Sequence, residues 1–295
     1  MSSLKNKTII ITGASRGIGR DIALACAAEG ANIVIAAKSD QPHPTLDGTI
    51  HSVAKEVEDA GGKGLAIKVD VRSEEDIDNL IAKTVETFGS IDGIINNAGA
   101  IALSGVESTP LKKLDLMMQI NFRAVFLLSQ KALPHLKKSE NGHILSLSPP
   151  LDLDRSWIRN HAPYTLTKYG MSMLTLGMSD EFKRYGIAVN ALWPRTVIRT
   201  DAIAFAGKET LERARTPKIM ADAALAVLKT QNRQVTGQLL IDEDFLRTQG
   251  VEDFEHYRAN PEYNKKDLMQ DLFVQAPDAY VKGSVPPLAG WPADE

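Results

Sequence analysis

The 295-residue sequence has few means of covalent or metal-held construction. Its one cysteine, Cys26, excludes an intrachain disulfide and a cysteine metal cluster, and suits a reducing intracellular compartment, so a cytoplasmic protein is expected. The six histidines lack the paired spacing of a zinc site, and no metal is expected. No stretch approaches the roughly 20 apolar residues of a membrane helix. Met1 to Lys5 leads into a strand-like segment without an apolar run or cleavage site, which argues against a secretory signal and leaves the formal sequon Asn6-Lys7-Thr8 unmodified. A net charge of -3 supplies no basic field for nucleic acid or anionic lipid. What is present, 43% hydrophobic and 24% charged residues, is the composition of an ordinary globular protein with small-molecule partners, neither nucleic acid nor membrane.

Apolar runs alternate with amphipathic ones. Thr8 to Ile11, Ala31 to Ala36, Leu65 to Val69, Gly93 to Ile95, His143 to Leu147, Ala188 to Leu192 and Gln238 to Ile241 read as strands; Ile22 to Ala28, Ser52 to Ala60 and Glu74 to Phe88 read as helices, with others between the later strands. Strands apolar throughout and alternating with helices predict an α/β fold: a single Rossmann-type, doubly wound parallel sheet with helices on both faces. Residues 39–49, with Pro42, Pro44 and Gly48, predict a surface loop. The predicted domain covers residues 1–247. Residues 248–295, polar and rich in proline, read as a C-terminal arm or partly disordered tail.

Thr12-Gly13-Ala14-Ser15-Arg16-Gly17-Ile18-Gly19 lies between the first strand and the first helix. Glycine there permits a sharp turn and close approach of a pyrophosphate, and a helix N-terminus supplies donors and positive potential. Three glycines alone also suit a plain strand-to-helix turn; the β/α context favours a nucleotide. Further along, Tyr164 and Lys168 stand at an i,i+4 spacing that puts phenol and ammonium on one helix face. A phenol titrates near 10 in water, and a neighbouring cation stabilises the phenolate a proton shuttle needs.

The spacing Thr-Gly-x-x-x-Gly-x-Gly, followed by Asn96-Asn97-Ala98-Gly99 and Tyr164-Thr165-Leu166-Thr167-Lys168, resembles the short-chain dehydrogenase/reductase family over about Lys5 to Leu246. Within it, Ser148-Pro149-Pro150, Tyr164 to Ser172 and Ala191-Leu192-Trp193-Pro194 resemble a hydroxysteroid dehydrogenase-like subgroup whose members can carry a C-terminal sterol-carrier domain; no such domain is read in residues 248–295. The resemblance implies an oxidoreductase that moves a hydride between a nicotinamide and a carbonyl or secondary alcohol. Cofactor contacts are implied for Gly13, Ser15, Arg16, Gly17, Ile18 and Gly19; for Asp70 and Val71 at the adenine; for Asn97, Ala98 and Gly99; and for Pro194, Val197 and Thr200 near the nicotinamide and pyrophosphate. Tyr164 is the implied proton donor or acceptor. Lys168 would hold the nicotinamide ribose, and Asn121 a relay water. A homodimer or homotetramer packed through the helices near Leu111 and Tyr164 is implied as well.

An acid at the end of the second strand would select NAD, whereas basic groups suit the 2′-phosphate of NADP. Ala37 stands where the acid is expected, and Lys38 with Arg16 would flank a phosphate, so NADP(H) is the expected cofactor. Asp40 is near enough in sequence to keep NAD(H) open. Two departures from the family pattern bear on activity. Pro149 occupies the usual serine position and cannot donate a hydrogen bond, which makes Ser148 the nearest replacement. Pro194-Arg195 replaces a Pro-Gly turn. They motivate an alternative reading, a nucleotide-binding regulatory or interaction protein with weak or lost catalysis.

Overall fold

The computed structural model describes residues 3–231 and 234–274. Seven strands, β1 (Thr8–Thr12), β2 (Asn32–Ala37), β3 (Lys63–Lys68), β4 (Gly93–Asn96), β5 (His143–Ser146), β6 (Ala188–Trp193) and β7 (Leu239–Ile241), form one parallel sheet in the order β3-β2-β1-β4-β5-β6-β7. Alternation along a strand divides the core. Ile9, Ile11, Ile33 and Ile35 face one layer, where helices α1 (Gly17–Ala28), α2 (Ile50–Asp59), α8 (Lys218–Leu228) and α9 (Asp242–Thr248) pack; Ile10 and Val34 face the other, against α3 (Glu74–Phe88), α5 (Ala124–Leu136) and α6 (Ala162–Phe182). Two shorter helices, α4 (Leu111–Met117) and α7 (Lys208–Glu212), complete the set. Each fully buried isoleucine contributes roughly 1.5–3 kcal/mol relative to exposure. Cys26 lies in the first layer, where burial pushes its thiol up to about 12 and leaves it unreactive.

The glycine turn works as its composition predicts. Gly13 and Gly17 have φ of 67° and 57°, in the left-handed region. Helix α1 therefore begins at Gly17, a turn earlier than its apolar periodicity suggests. Helix α3 starts at Ser73, whose side chain accepts from the Asp76 N–H, but Asp76 does not return the bond to Ser73. Its carboxylate instead accepts from the Asp70 N–H at 2.7 Å and ties the helix to the end of β3. Residues 39–49 contain no helix or strand, as expected of a loop. Of the segment read as an arm, Phe254, Tyr257, Leu268, Met269, Leu272, Phe273 and Val274 are buried against the domain; residues 275–295 lie outside the described ones.

β1 is flanked by β2 on one side and β4 on the other, so the chain leaves it in opposite directions and opens a crevice at the strand C-termini. Asn97, just past β4, spans the crevice floor: its Nδ2 donates to the carbonyls of Thr12 and Gly13 at 2.8 and 3.0 Å. A Cβ on Gly19 would stand 2.4 Å from that same nitrogen and 2.7 Å from Gly13 O. Gly19→Ala is therefore expected to cost about 1–3 kcal/mol, read as a lower urea midpoint at unchanged slope; an unaltered midpoint would contradict this account of the turn.

Candidate functional site

A cleft of about 1080 Å³ lies over the strand C-termini. Every residue singled out from the sequence as a cofactor contact lines it except Gly19, which supports the turn from behind. At one end the Arg16 side chain is folded onto the 39–49 loop, donating to Asp47 O, Ser39 Oγ and Gly48 O. Lys38 is exposed on the rim beside Ser39. Asp40 does not line the cleft; its carboxylate bonds His51 at 2.8 Å and faces Lys68. Asp70 lines the cleft, but the Arg72 guanidinium clasps its carboxylate and holds it down at about 2. Helix α1 has no side-chain cap. Its first residues, Gly17 and Ile18, border the cleft, and a helix start left without a side-chain cap is the arrangement that receives a phosphate.

At the other end Tyr164 and Lys168 project from α6 into the same space. Both are almost wholly buried. Lys168 Nζ donates to Leu147 O at 2.9 Å, and burial lowers its ammonium to about 8 despite the opposing pull of Asp271. Burial, with Asp271 adding repulsion, drives the Tyr164 phenol above its ordinary value. The ammonium one turn away does not offset that burial.

Asn121 sits in a π-helical turn, Met118–Arg123, between α4 and α5, the kind of bulge that recurs at functional sites. Its Oδ1 accepts from the Ala100 N–H at 2.8 Å, and its Nδ2 donates to Ala100 O and to Thr167 Oγ1. It does not line the cleft and reaches it through Ala100, which does.

Two expectations meet a different geometry. Ser148 is fully buried and turned inward, where it accepts from Ser172 Oγ at 3.1 Å; Ser172 also bonds Pro149 O. The pleat that brings Leu147 to the cleft sends its neighbour away from it. Val197 lines the cleft, but its N–H donates to Met269 O and its carbonyl accepts from the Arg215 N–H, both at 2.9 Å. At the Pro194-Arg195 turn the Arg195 guanidinium pairs with Asp244, while its N–H donates to Asp242 and its carbonyl accepts from the Asp271 N–H. Trp157 and His161, from the stretch before α6, contact neither end of the cleft but pack on Phe273.

Phe273 and Asp271 escape the sequence reading. Phe273 stacks on Tyr164 at 6.3 Å between ring centroids, with Tyr169 and Trp193 at 5.3 and 5.9 Å. Asp271 lines the cleft and acts electrostatically on both Tyr164 and Lys168. Neither belongs to a periodic or glycine-marked segment, so no local signal announces them. Among the described residues there is no cluster of metal ligands, and no helix is long and apolar enough to cross a membrane.

Comparison with known proteins agrees with this architecture. Residues 7–209 match the family model described as short chain dehydrogenase. Hydroxysteroid dehydrogenase-like protein 2 from Danio rerio is 52% identical over 277 residues, 93% of this chain and 66% of that protein; the Homo sapiens protein of that name is 48% identical over 286 residues, 95% of this chain and 67% of that one. The chain thus spans about two thirds of the length of these relatives. A solved structure from Xanthomonas campestris superposes with a TM-score of 0.90 at 49% identity, covering 93% of this chain and 100% of that one. A metagenomic short-chain oxidoreductase in complex with NADP shares the fold at 22% identity and a TM-score of 0.67, over 81% of this chain and 98% of its own. With its parallel seven-stranded sheet, glycine turn and family match, the chain belongs to the short-chain dehydrogenase/reductase family of oxidoreductases, which act on CH–OH and C=O groups.

Proposed function

We propose that the chain is an NADP(H)-dependent oxidoreductase that interconverts a carbonyl compound and its secondary alcohol, with Tyr164 exchanging the proton at the substrate oxygen. The observation that carries this reading is that Tyr164 and Lys168 share one cleft with the glycine turn. The turn fits a dinucleotide: Gly13 and Gly17 hold the left-handed backbone that shapes it, and the start of α1, which has no side-chain cap, presents donors to a pyrophosphate. When bound, the nicotinamide supplies or accepts the hydride. Lys168, charged below about pH 8, orients the ribose and stabilises the phenolate left when Tyr164 gives up its proton. Burial keeps the phenol protonated in the chain itself, the form that serves carbonyl reduction. Asn121 fixes Ala100 against α6 and borders the path by which the phenol regains its proton.

The phosphate-bearing cofactor is favoured by the rim. Lys38 and Arg16 border the cleft, while the nearby acid, Asp40, is held outside it by His51. The exposed faces of the helices beginning near Leu111 and Tyr164 support a homo-oligomer. Leu111, Phe126, Leu166 and Met173 stand 70%, 47%, 64% and 64% exposed, apolar surface that a second copy packed on these helices would cover. A single monomeric species by light scattering would remove that part of the reading. The alternative, a nucleotide-binding protein without efficient chemistry, draws on Phe273 against Tyr164 and Met269 on the Val197 N–H.

Purified chain offered a panel of ketones, aldehydes and steroid or hydroxyacyl alcohols with each cofactor is expected to turn over with NADPH or NADP. Tyr164→Phe should lower that rate by about 10²–10⁴-fold while NADPH still binds. Tight NADPH binding with no turnover anywhere in the panel favours the alternative. In fluorescence titrations Lys38→Ala is expected to weaken NADPH by about tenfold, equivalent to about 1.4 kcal/mol, and to leave NADH unchanged; equal losses for both would remove Lys38 from the phosphate site.

A further inference from the structure

Arg16 is drawn into the 39–49 loop. A guanidinium carries five N–H donors in a fixed fork. Here all three of its nitrogens donate into the loop: Nε to Asp47 O at 3.0 Å, Nη1 to Ser39 Oγ at 3.2 Å and Nη2 to Gly48 O at 2.9 Å. Two of these acceptors are main-chain carbonyls near the loop's end and the third stands at its start, so one planar group spans both. Among the described residues it is this group that ties residues 41–48 by hydrogen bonds to the rest of the domain.

The loop's two ends are anchored independently. Ile50, buried in the core, donates its N–H to Ser39 O at 2.9 Å, and Thr49 caps α2. Gly48 lets the returning backbone lie on the glycine turn, since a Cβ there would stand 2.2 Å from Ser15 O. Between the anchors Gln41 to Thr45 are exposed. Leu46, next to the residue whose carbonyl Arg16 holds, is half-buried and lines the cleft with Lys38, Ser39, Val69 and Asp70. The Val69 N–H donates to Ala37 O at 3.0 Å, so the ends of β2 and β3 and the start of the loop border the same end of the cleft. An apolar side chain lining this end suits the adenosine, which both dinucleotides share.

Resting on the dinucleotide reading above, we propose that Arg16 is a positioning residue for the cofactor, holding the 39–49 loop and its Leu46 as a ready-made wall for the adenosine. A loop ordered in advance need not be ordered on binding, and that saving is the same for NADP(H) and NAD(H) because the wall meets the part they have in common. A guanidinium acting only through the 2′-phosphate would instead affect NADP(H) alone. Lysine in place of Arg16 keeps the positive charge at the rim, but its single nitrogen cannot serve Ser39, Asp47 and Gly48 together. Charge and loop order can thus be separated.

In the full chain, Arg16→Lys is expected to weaken NADPH and NADH by the same factor, about fivefold to tenfold in fluorescence titrations, with the thermal midpoint little changed. AMP, the adenosine half without the extra phosphate, should be weakened as a competitor by that factor too. Without cofactor, the amides of residues 41–48 should exchange with deuterium faster in Arg16→Lys than in the parental chain. Leu46→Ala should weaken both dinucleotides alike, in contrast to Lys38→Ala. It also decides the matter if Arg16→Lys does not fold, because an unchanged affinity in Leu46→Ala overturns the proposal. A loss in Arg16→Lys confined to NADPH, a loss for neither dinucleotide, or unaltered exchange over residues 41–48 overturns it as well. In each of these cases the parental chain still binds NADPH and the dinucleotide reading stands. If the parental chain binds neither dinucleotide, that reading fails, and the adenosine wall fails with it.

Discussion

The cleft depends on the stitching of β1 to β4 at the point where the sheet reverses direction. Thr12 Oγ1 accepts from the N–H groups of both Asn97 and Ala98, at 3.1 and 3.0 Å, and Asn97 returns two bonds to the Thr12 and Gly13 carbonyls. Parallel strands diverge once their ladder ends, and buried backbone groups there would otherwise go unsatisfied. One threonine and one asparagine settle that account, hold the glycine turn at a fixed height above the sheet, and leave Gly19 no room for a side chain. Asn96 extends the same stitching to β5 through Ser146.

The second organising fact is how dry the Tyr164 end of the cleft is. Tyr164 and Lys168 are buried, so desolvation dominates both, pushing the phenol up and the ammonium down. The C-terminal segment causes much of this dryness. Phe273 closes the aromatic cluster, and the Trp193 indole anchors the backbone beside it. Pro149 and Arg195, which look like losses in the sequence, belong to the same economy: Pro149 O receives Ser172, and the Arg195 backbone receives Asp271.

Much of this was legible in the residues. Continuous apolar runs and amphipathic periods mark the strands and helices, because each buries a face whose spacing repeats. Strand ends differ by a residue or so, as at Asn96 and Trp193, where the ladder continues past the last clearly strand-like residue. The first turn of α1 is hidden by glycine, which disfavours helix and yet is needed there. Tyr164, Lys168 and the glycine turn could be named because a local pattern carries each. Ser148 could not be oriented from its strand alone, and Val197 could not be seen to be occupied, because both outcomes depend on residues far along the chain. Residues 251–274 use their few apolar side chains one at a time, with hydrogen bonds to distant backbone in place of periodicity.

The π-helical turn at Met118–Arg123 makes the chain length of the continuous helix from Leu111 to Leu136 matter to the residue. The wider winding accommodates one extra position and thereby lets Asn121 aim at Ala100 and Thr167 while Met117 and Val125, on either side, stay in the core. Removing any single residue from the turn would restore ordinary winding, but it would rotate everything on one side of the deletion relative to the other. Either the asparagine or an apolar stripe would then face the wrong way, so this stretch tolerates exchange of side chains far better than a change in their number.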